Sequence, residues 1–314
     1  MSEVLAIDAG GTKVLVGIVN ERGEVLARVR DSVPTADYRA YFARCAEMSR
    51  ECAAAAGRSL GDLAAVGMNI PGMATPDGHV FGSPSSGWPA FEARPLLAEF
   101  LGAGDLPVGF DNDINACARA ERLFAAAPDD FLWVTVSTGV GGAVFADGRL
   151  VRGVRNCAGE IGHVKVEFER PRPCGCGGCG CLEAHVSGKA LARRAAEVYG
   201  AERALTAKDL EDLARQGDAQ ALEIYAEAGK FLGRALGAAA NLTNFSRAYV
   251  GGGVSPALDL MLPALRTAFD ACAVRPVAEG VEVVRTKLGY EAALLGAAAT
   301  AFANVSADKG GSGR

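Results

Sequence analysis

No stretch of this 314-residue chain holds the roughly 20 consecutive apolar residues that span a bilayer. The opening residues, MSEVLAIDAGG, lack the basic start and small-residue cleavage site of a secretory signal. Positive charge is not in excess: 32 Lys and Arg stand against 37 Asp and Glu, a formal net charge of −5. A broad nucleic-acid-binding face finds no support in that balance. Two nucleotide-binding signatures are also missing. No G-x-x-x-x-G-K-[ST] occurs, and the first glycine turn leads into a strand rather than a helix, so neither a Walker P-loop nor a Rossmann fingerprint is present. These absences predict a soluble, cytoplasmic protein with no nucleic-acid partner and no membrane. Half of the residues are hydrophobic, enough for a sizeable core, and the length fits two domains or one large one.

Disulfides are not expected either. The nine cysteines are an odd number, and Cys45, Cys52, Cys117, Cys157 and Cys272 are scattered. The remaining four crowd into Cys174-Gly175-Cys176-Gly177-Gly178-Cys179-Gly180-Cys181, with His163 eleven residues before Cys174. Zinc takes four soft or borderline ligands in a tetrahedron, and interleaved glycines let close thiolates share one ion. Five candidate ligands exceed four, and composition does not choose among them. A zinc of this kind shapes a loop; nothing requires an open, catalytic position.

Apolar runs and turn residues predict strands at 4–7, 14–19, 25–33, 63–70, 108–110, 131–136, 143–146, 248–250 and 281–285. Helices are expected at 38–56, 91–101, 114–124, through most of 182–242, and at 292–302. Residues 74–89, rich in Gly, Pro and Ser, are expected to be loop. Strand, small-residue turn, strand occurs twice, near residues 8 and 137. This weak repeat within an alternating α/β pattern predicts two related lobes with a cleft between them.

The turns carry the chemistry. Gly10, Gly11 and Thr12 could cradle phosphate oxygens, because backbone N–H groups approach an anion unobstructed by a Cβ. Asp8 could hold a cation through water. Ser137-Thr138-Gly139-Val140-Gly141-Gly142 offers the same chemistry from the second lobe, and Gly251-Gly252-Gly253 is a third small-residue turn. Phe110-Asp111-Asn112-Asp113-Ile114-Asn115 falls between a strand and a helix. Either acid could be an N-cap; alternatively, one is a general base, kept ionised by the helix N-terminus.

Taken in order, DAGGT, DNDIN, STGVGG and AGEIGH followed by CGCGGCGCLE resemble the ROK family of sugar kinases and repressors, from Asp8 to about Ala301. The resemblance implies an α/β, actin-like (ribonuclease-H-like) fold of two lobes with ATP in the cleft. Its domains would be a smaller lobe over 1–115, a larger lobe over 116–290 with a zinc loop at 163–183, a last helix at 291–304 packing back on the first lobe, and a disordered tail at 305–314. Asp8, Gly10, Gly11, Thr12 and Lys13, then Ser137, Thr138, Gly139, Gly141 and Gly142, match the phosphate motifs; Gly251, Gly252 and Gly253 match the adenosine-side loop. Asp113 matches the catalytic base. Pro71, Gly72, Asn112, Glu160, His163 and Glu183 match sugar-site positions. His163, Cys174, Cys176 and Cys181 match the zinc set, which leaves Cys179 free.

The implied activity is transfer of phosphate from ATP, with Mg²⁺, to the 6-hydroxyl of a hexose. Glucose leads; N-acetylglucosamine, N-acetylmannosamine, fructose, mannose and allose are alternatives. A homodimer is also implied. A family repressor would need a helix-turn-helix ahead of Asp8, where little chain is present. An actin-like ATPase or a sugar sensor without chemistry are the readings from other classes. The chain departs from the family at Ala143, at 241–245, at 288–291 and at 82–88, the last of which bears on the choice of sugar.

Overall fold

The computed structural model describes residues 1–10, 13–33, 37–70, 72, 74–82, 87–102 and 106–310, with side chains described to 305. The readings of Gly11, Thr12 and Pro71, and of the centre of segment 82–88, lie outside the described residues. The chain forms two compact units. One comprises Met1–Ala127, Arg152–Cys157 and the chain from Tyr290 onward; the other comprises Pro128–Val151 and Ala158–Gly289.

In the first unit, β1 (Glu3–Ala9), β2 (Val14–Asn20) and β3 (Val25–Asp31) form an antiparallel meander. Helix α1 (Tyr38–Ala55) follows, with Asp37 accepting from the Arg39 and Ala40 amides as its N-cap. Strand β4 (Val66–Ile70) lies parallel to β1. The short strand β5 (His79–Val80) lies within the segment expected to be loop, and its partner β6 (Phe91–Glu92) takes the first two residues of the helix expected at 91–101. Next come α2 (Ala93–Leu101), β7 (Val108–Asn112) and α3 (Asp113–Phe124). The sheet order is β3-β2-β1-β4-β7. All of β4 is buried, as expected of a central parallel strand covered on both faces. The C-terminal helix (Ala292–Gly310) packs against β1 and β4, and so closely that a Cβ on Gly67 would fall 1.9 Å from the Ala297 carbonyl oxygen. This helix continues past 304 because no Gly or Pro interrupts residues 297–309, so the tail expected at 305–314 is helical to Gly310. Residues 311–314 lie outside the described residues.

The second unit repeats the plan. Strands β8 (Phe131–Val136), β9 (Val140–Ala146) and β10 (Arg149–Val151) form a meander closed by Asp147 and Gly148 at positive φ of 51° and 70°. Helices α4 (Glu183–Val186), α5 (Gly188–Tyr199), α6 (Ala207–Arg215) and α7 (Ala219–Thr243) lead to β11 (Arg247–Gly251). Then α8 (Leu258–Cys272) and α9 (Arg275–Ala278) precede β12 (Glu282–Arg285). The order β10-β9-β8-β11-β12 places two parallel strands beside a three-stranded meander, as in the first sheet.

Several boundaries differ from the sequence reading, two of them near the glycine turns and between the units. Strand β9 starts at Val140 rather than 143, because Gly141 and Gly142 pair with Thr135 and Val134. The units part after Ala127 rather than at 115/116, since α3 packs on the C-terminal helix and stays with the first unit.

Candidate active site

In the first unit, Asp8, Asn69 and Asp111 stand side by side in register at the carboxyl ends of β1, β4 and β7. Open α/β sheets bind ligands at this edge. Asn69 Nδ2 donates to Asp8 Oδ1 at 3.1 Å and to the Ala293 carbonyl at 2.7 Å. Asp111 is fully buried and accepts from Asn115 Nδ2 at 3.0 Å, Arg119 Nε at 3.1 Å and Arg152 Nη2 at 2.6 Å. Two guanidiniums balance its charge, so Asp111 is part of the framework. The N-cap of α3 is neither acid. Asn112 takes that place, its Oδ1 accepting from the Asn115 amide at 2.7 Å and its Nδ2 remaining at the strand end.

Asp113 is the first residue of α3, with part of its surface exposed. Its carboxyl is nonetheless flanked by protein: desolvation first, then the negative charge of Asp8, pushes it up to about 6. This is opposite to the shift expected from the helix N-terminus, whose attraction for a carboxylate is outweighed. Burial also raises Asp8, against the lowering effect of the Asn69 hydrogen bond. The Gly10 amide donates to the Lys13 carbonyl at 3.0 Å, and its carbonyl accepts from Tyr41 Oη at 2.8 Å. Lys13 is exposed, and Gly72 has a φ of 103°.

In the second unit, Ser137 to Gly139 form a tight turn in which the Ser137 amide donates to the Gly139 carbonyl at 2.8 Å. Ser137, Thr138 and Gly253 line a cavity of about 610 Å³ together with Gly188, Lys189 and Leu205. Gly251 and Gly252 serve packing instead: a Cβ on the first would meet Trp133 at 2.6 Å, and on the second the Val136 carbonyl at 2.4 Å. The lining from α5 and from the loop before α6 was missed in the sequence. Ser187, which caps α5 by accepting from the Ala190 amide, was its one readable signal, because a capped Gly-Lys helix start attracts anions.

The same unit gathers the acid, imidazole and thiol residues. Glu160 opens the short helical turn Ile161–His163, and its Oε2 lies 4.0 Å from His163 Nε2. The other face of the ring, Nδ1, lies 3.7 Å from Cys174 Sγ, while the Cys176 and Cys181 sulfurs are 3.6 Å apart. The donor atoms of His163, Cys174, Cys176 and Cys181 all lie within 4.8 Å of one another; Cys179 is not in this set. Two thiolates about 2.3 Å from one tetrahedral ion would be about 3.8 Å apart, so the spacing fits zinc. Lys165 Nζ donates to Cys181 Sγ at 2.8 Å, bringing a positive charge to the thiols. Glu183 Oε1 lies 3.7 Å from Cys174 Sγ, and its Oε2 accepts from the Val140 amide at 3.0 Å.

Among known proteins, the glucokinase of Halalkalibacterium halodurans is 33% identical over 308 residues, covering 93% of this chain and 92% of that one. The crystal structure of a ROK hexokinase from Thermus thermophilus superimposes with a TM-score of 0.80 at 32% identity, over 97% of this chain and 99% of that one. A ROK family glucokinase from Streptomyces griseus, in complex with glucose and AMPPNP, gives 0.77 at 30% identity, over 96% and 100%. These likenesses establish the actin-like ATPase fold. The ROK family profile matches residues 4–304, and the chain belongs to the ROK family.

Proposed function

We propose that this chain is an ATP-dependent hexose kinase that phosphorylates the sugar 6-hydroxyl, with glucose as its preferred acceptor. The observation that carries this reading is the gathering of Glu160, His163 and Glu183 beside a four-donor metal set, in the unit that also holds the Ser137 turn and its cavity. Two carboxylates and an imidazole suit ring hydroxyls, which both donate and accept. A site built on such pairs rejects an epimer when the bound sugar shields it from water, because a misplaced hydroxyl then leaves these polar groups unpaired. Glucose is favoured over other hexoses because two of the proteins above, from Halalkalibacterium halodurans and Streptomyces griseus, are named glucokinases and the Streptomyces protein holds glucose.

In this reading Asn112 and Gly72 add to the sugar contacts. Asp113 accepts the proton of O6 as that oxygen attacks the γ-phosphorus. The bond from phosphorus to the β–γ bridging oxygen breaks, and ADP leaves. A carboxyl near 6 is mostly ionised at neutral pH yet basic enough to take the proton. Positioning does most of the remaining work in phosphoryl transfer. Ser137, Thr138 and Gly139, with Lys13 and the residues beside it, would hold phosphate oxygens, and Gly253 with the α5 start would face the nucleoside. Mg²⁺ arriving with ATP would spread the phosphate charge, with Asp8 near it through water. We assign zinc to His163, Cys174, Cys176 and Cys181. When bound there it supplies a rigid anchor for the residues around it.

A coupled ADP-release assay over a panel of hexoses and N-acetylhexosamines tests the reading. Sugar-dependent release, fastest with glucose, is expected. ADP release indifferent to every sugar would favour an actin-like ATPase, and sugar binding without release would favour a sensor.

A further inference from the structure

We infer that Glu183 is a latch on the phosphate-binding turn, so that the cysteine loop sets nucleotide affinity as well as sugar affinity. The inference rests on the kinase reading above, which assigns the turn at 137–139 to ATP, and it adds a second task to a residue assigned there to the sugar alone.

The latch is one carboxylate seated between the turn and the cysteine loop. Oε2 accepts from the Val140 amide at 3.0 Å, immediately after the turn, and Oε1 lies 3.7 Å from the sulfur of Cys174 in the metal set. The base of the side chain does not move freely, because Cys181 and Leu182 just before it are fully buried. The turn closes around the carboxylate with no space to spare: a Cβ on Gly139 would lie 2.6 Å from Glu183 Oε2. The other side of Val140 is also held. A Cβ on Gly162, next to His163, would fall 2.0 Å from the Val140 carbonyl oxygen, so the two backbones touch. One residue downstream of the turn is therefore gripped at its amide by Glu183 and at its carbonyl by the loop that carries His163. The opposite end of the turn is tied by the Gly188 amide donating to the Ser137 carbonyl at 2.7 Å.

With the Val140 amide held at one end and the Ser137 carbonyl at the other, the short turn between them keeps few soft torsions, which restrains its amides. Backbone amides bind phosphate well only when they are held in position beforehand. Each carboxylate oxygen accepts more than one hydrogen bond, so the latch and a sugar hydroxyl can share Glu183. Removing the side chain would leave the Val140 amide without its partner and release the turn. Replacing it by Gln would leave a carboxamide oxygen able to accept from Val140 while changing what the sugar meets.

The test is calorimetric titration of AMPPNP, with no sugar present, into the wild type, Glu183→Ala and Glu183→Gln. Zinc content and far-UV circular dichroism serve as folding controls. Loss of a hydrogen bond to a charged group predicts that Glu183→Ala weakens AMPPNP about tenfold or more. Glu183→Gln should stay within about threefold of the wild type for AMPPNP, by the same arithmetic, while both variants lose glucose affinity. Wild-type AMPPNP affinity in Glu183→Ala, with glucose affinity lost, would overturn the latch and leave the kinase reading standing. A wild type that binds no AMPPNP would overturn both. Should Glu183→Ala fail to fold, amide exchange at Val140 in the wild type decides: faster exchange after zinc is chelated supports the latch, and unchanged exchange overturns it.

Discussion

Asp111 and Asp113 are two positions apart and have opposite electrical surroundings. Asp111 lies between two arginines, and Asp113 feels Asp8. The raised carboxyl of Asp113 has a consequence for stability. The folded state holds this proton up to about pH 6, while the unfolded chain releases it near 3.8, the ordinary value for an aspartate. Stability therefore falls as pH rises between those values and stays reduced above them. Asp113→Asn removes the charge, so the variant should melt higher than the wild type at pH 7.5, with the gain fading near pH 4. Thermal melts at the two pH values check this; a variant melting lower at pH 7.5 would contradict the repulsion argument. The sequence shows two acids at a helix start but not which is neutralised. Arg152 lies far along the chain from Asp111, and only the fold brings it there.

At the level of elements, close backbone contacts decide much of the packing. Because the C-terminal helix touches β4 at Gly67, Gly67→Ala should destabilise the protein by about 3 kcal/mol, the upper end of the usual overpacking cost. Chemical denaturation measures it, and a loss under about 1 kcal/mol would mean the helix shifts freely. In the cysteine loop, Cys176→Ala removes one donor from the set of four. Zinc content and glucose affinity should fall together; full glucose affinity in zinc-free protein would separate the metal from the sugar site. This loop was readable because few other reasons exist to crowd thiols among glycines. The cavity lining from α5 and the loop before α6 was far less readable, because Ala, Leu and Lys on helices are ordinary residues and only tertiary packing gives them a shared wall. The glycine motifs read in part. Gly253 lines the cavity, whereas Gly142, Gly251 and Gly252 are small for packing reasons, a distinction that needs the neighbours in view.

Across the whole chain, two sheets share one plan, and the repeat of strand, turn and strand announced it. The unit boundary was less legible. Segment Arg152–Cys157 returns to the first unit after three strands of the second, held there by Arg152 on Asp111 and by Asn156 donating to the Ala74 carbonyl. Such a return leaves no local signature, since each partner is distant in sequence. Among the described residues no helix is long and apolar enough to cross a membrane.

The central claim is that the Asp113 carboxylate takes the proton of the attacking hydroxyl. The pH dependence of kcat/KM for glucose, measured on the wild type and on Asp113→Ala, tests it most directly. The account predicts a wild-type rate that rises with pH to a plateau through an apparent pKa near 6, and a variant slower by about 10² to 10⁴ with that inflection gone. Near-normal turnover in the variant, or the same inflection surviving in it, would contradict the account.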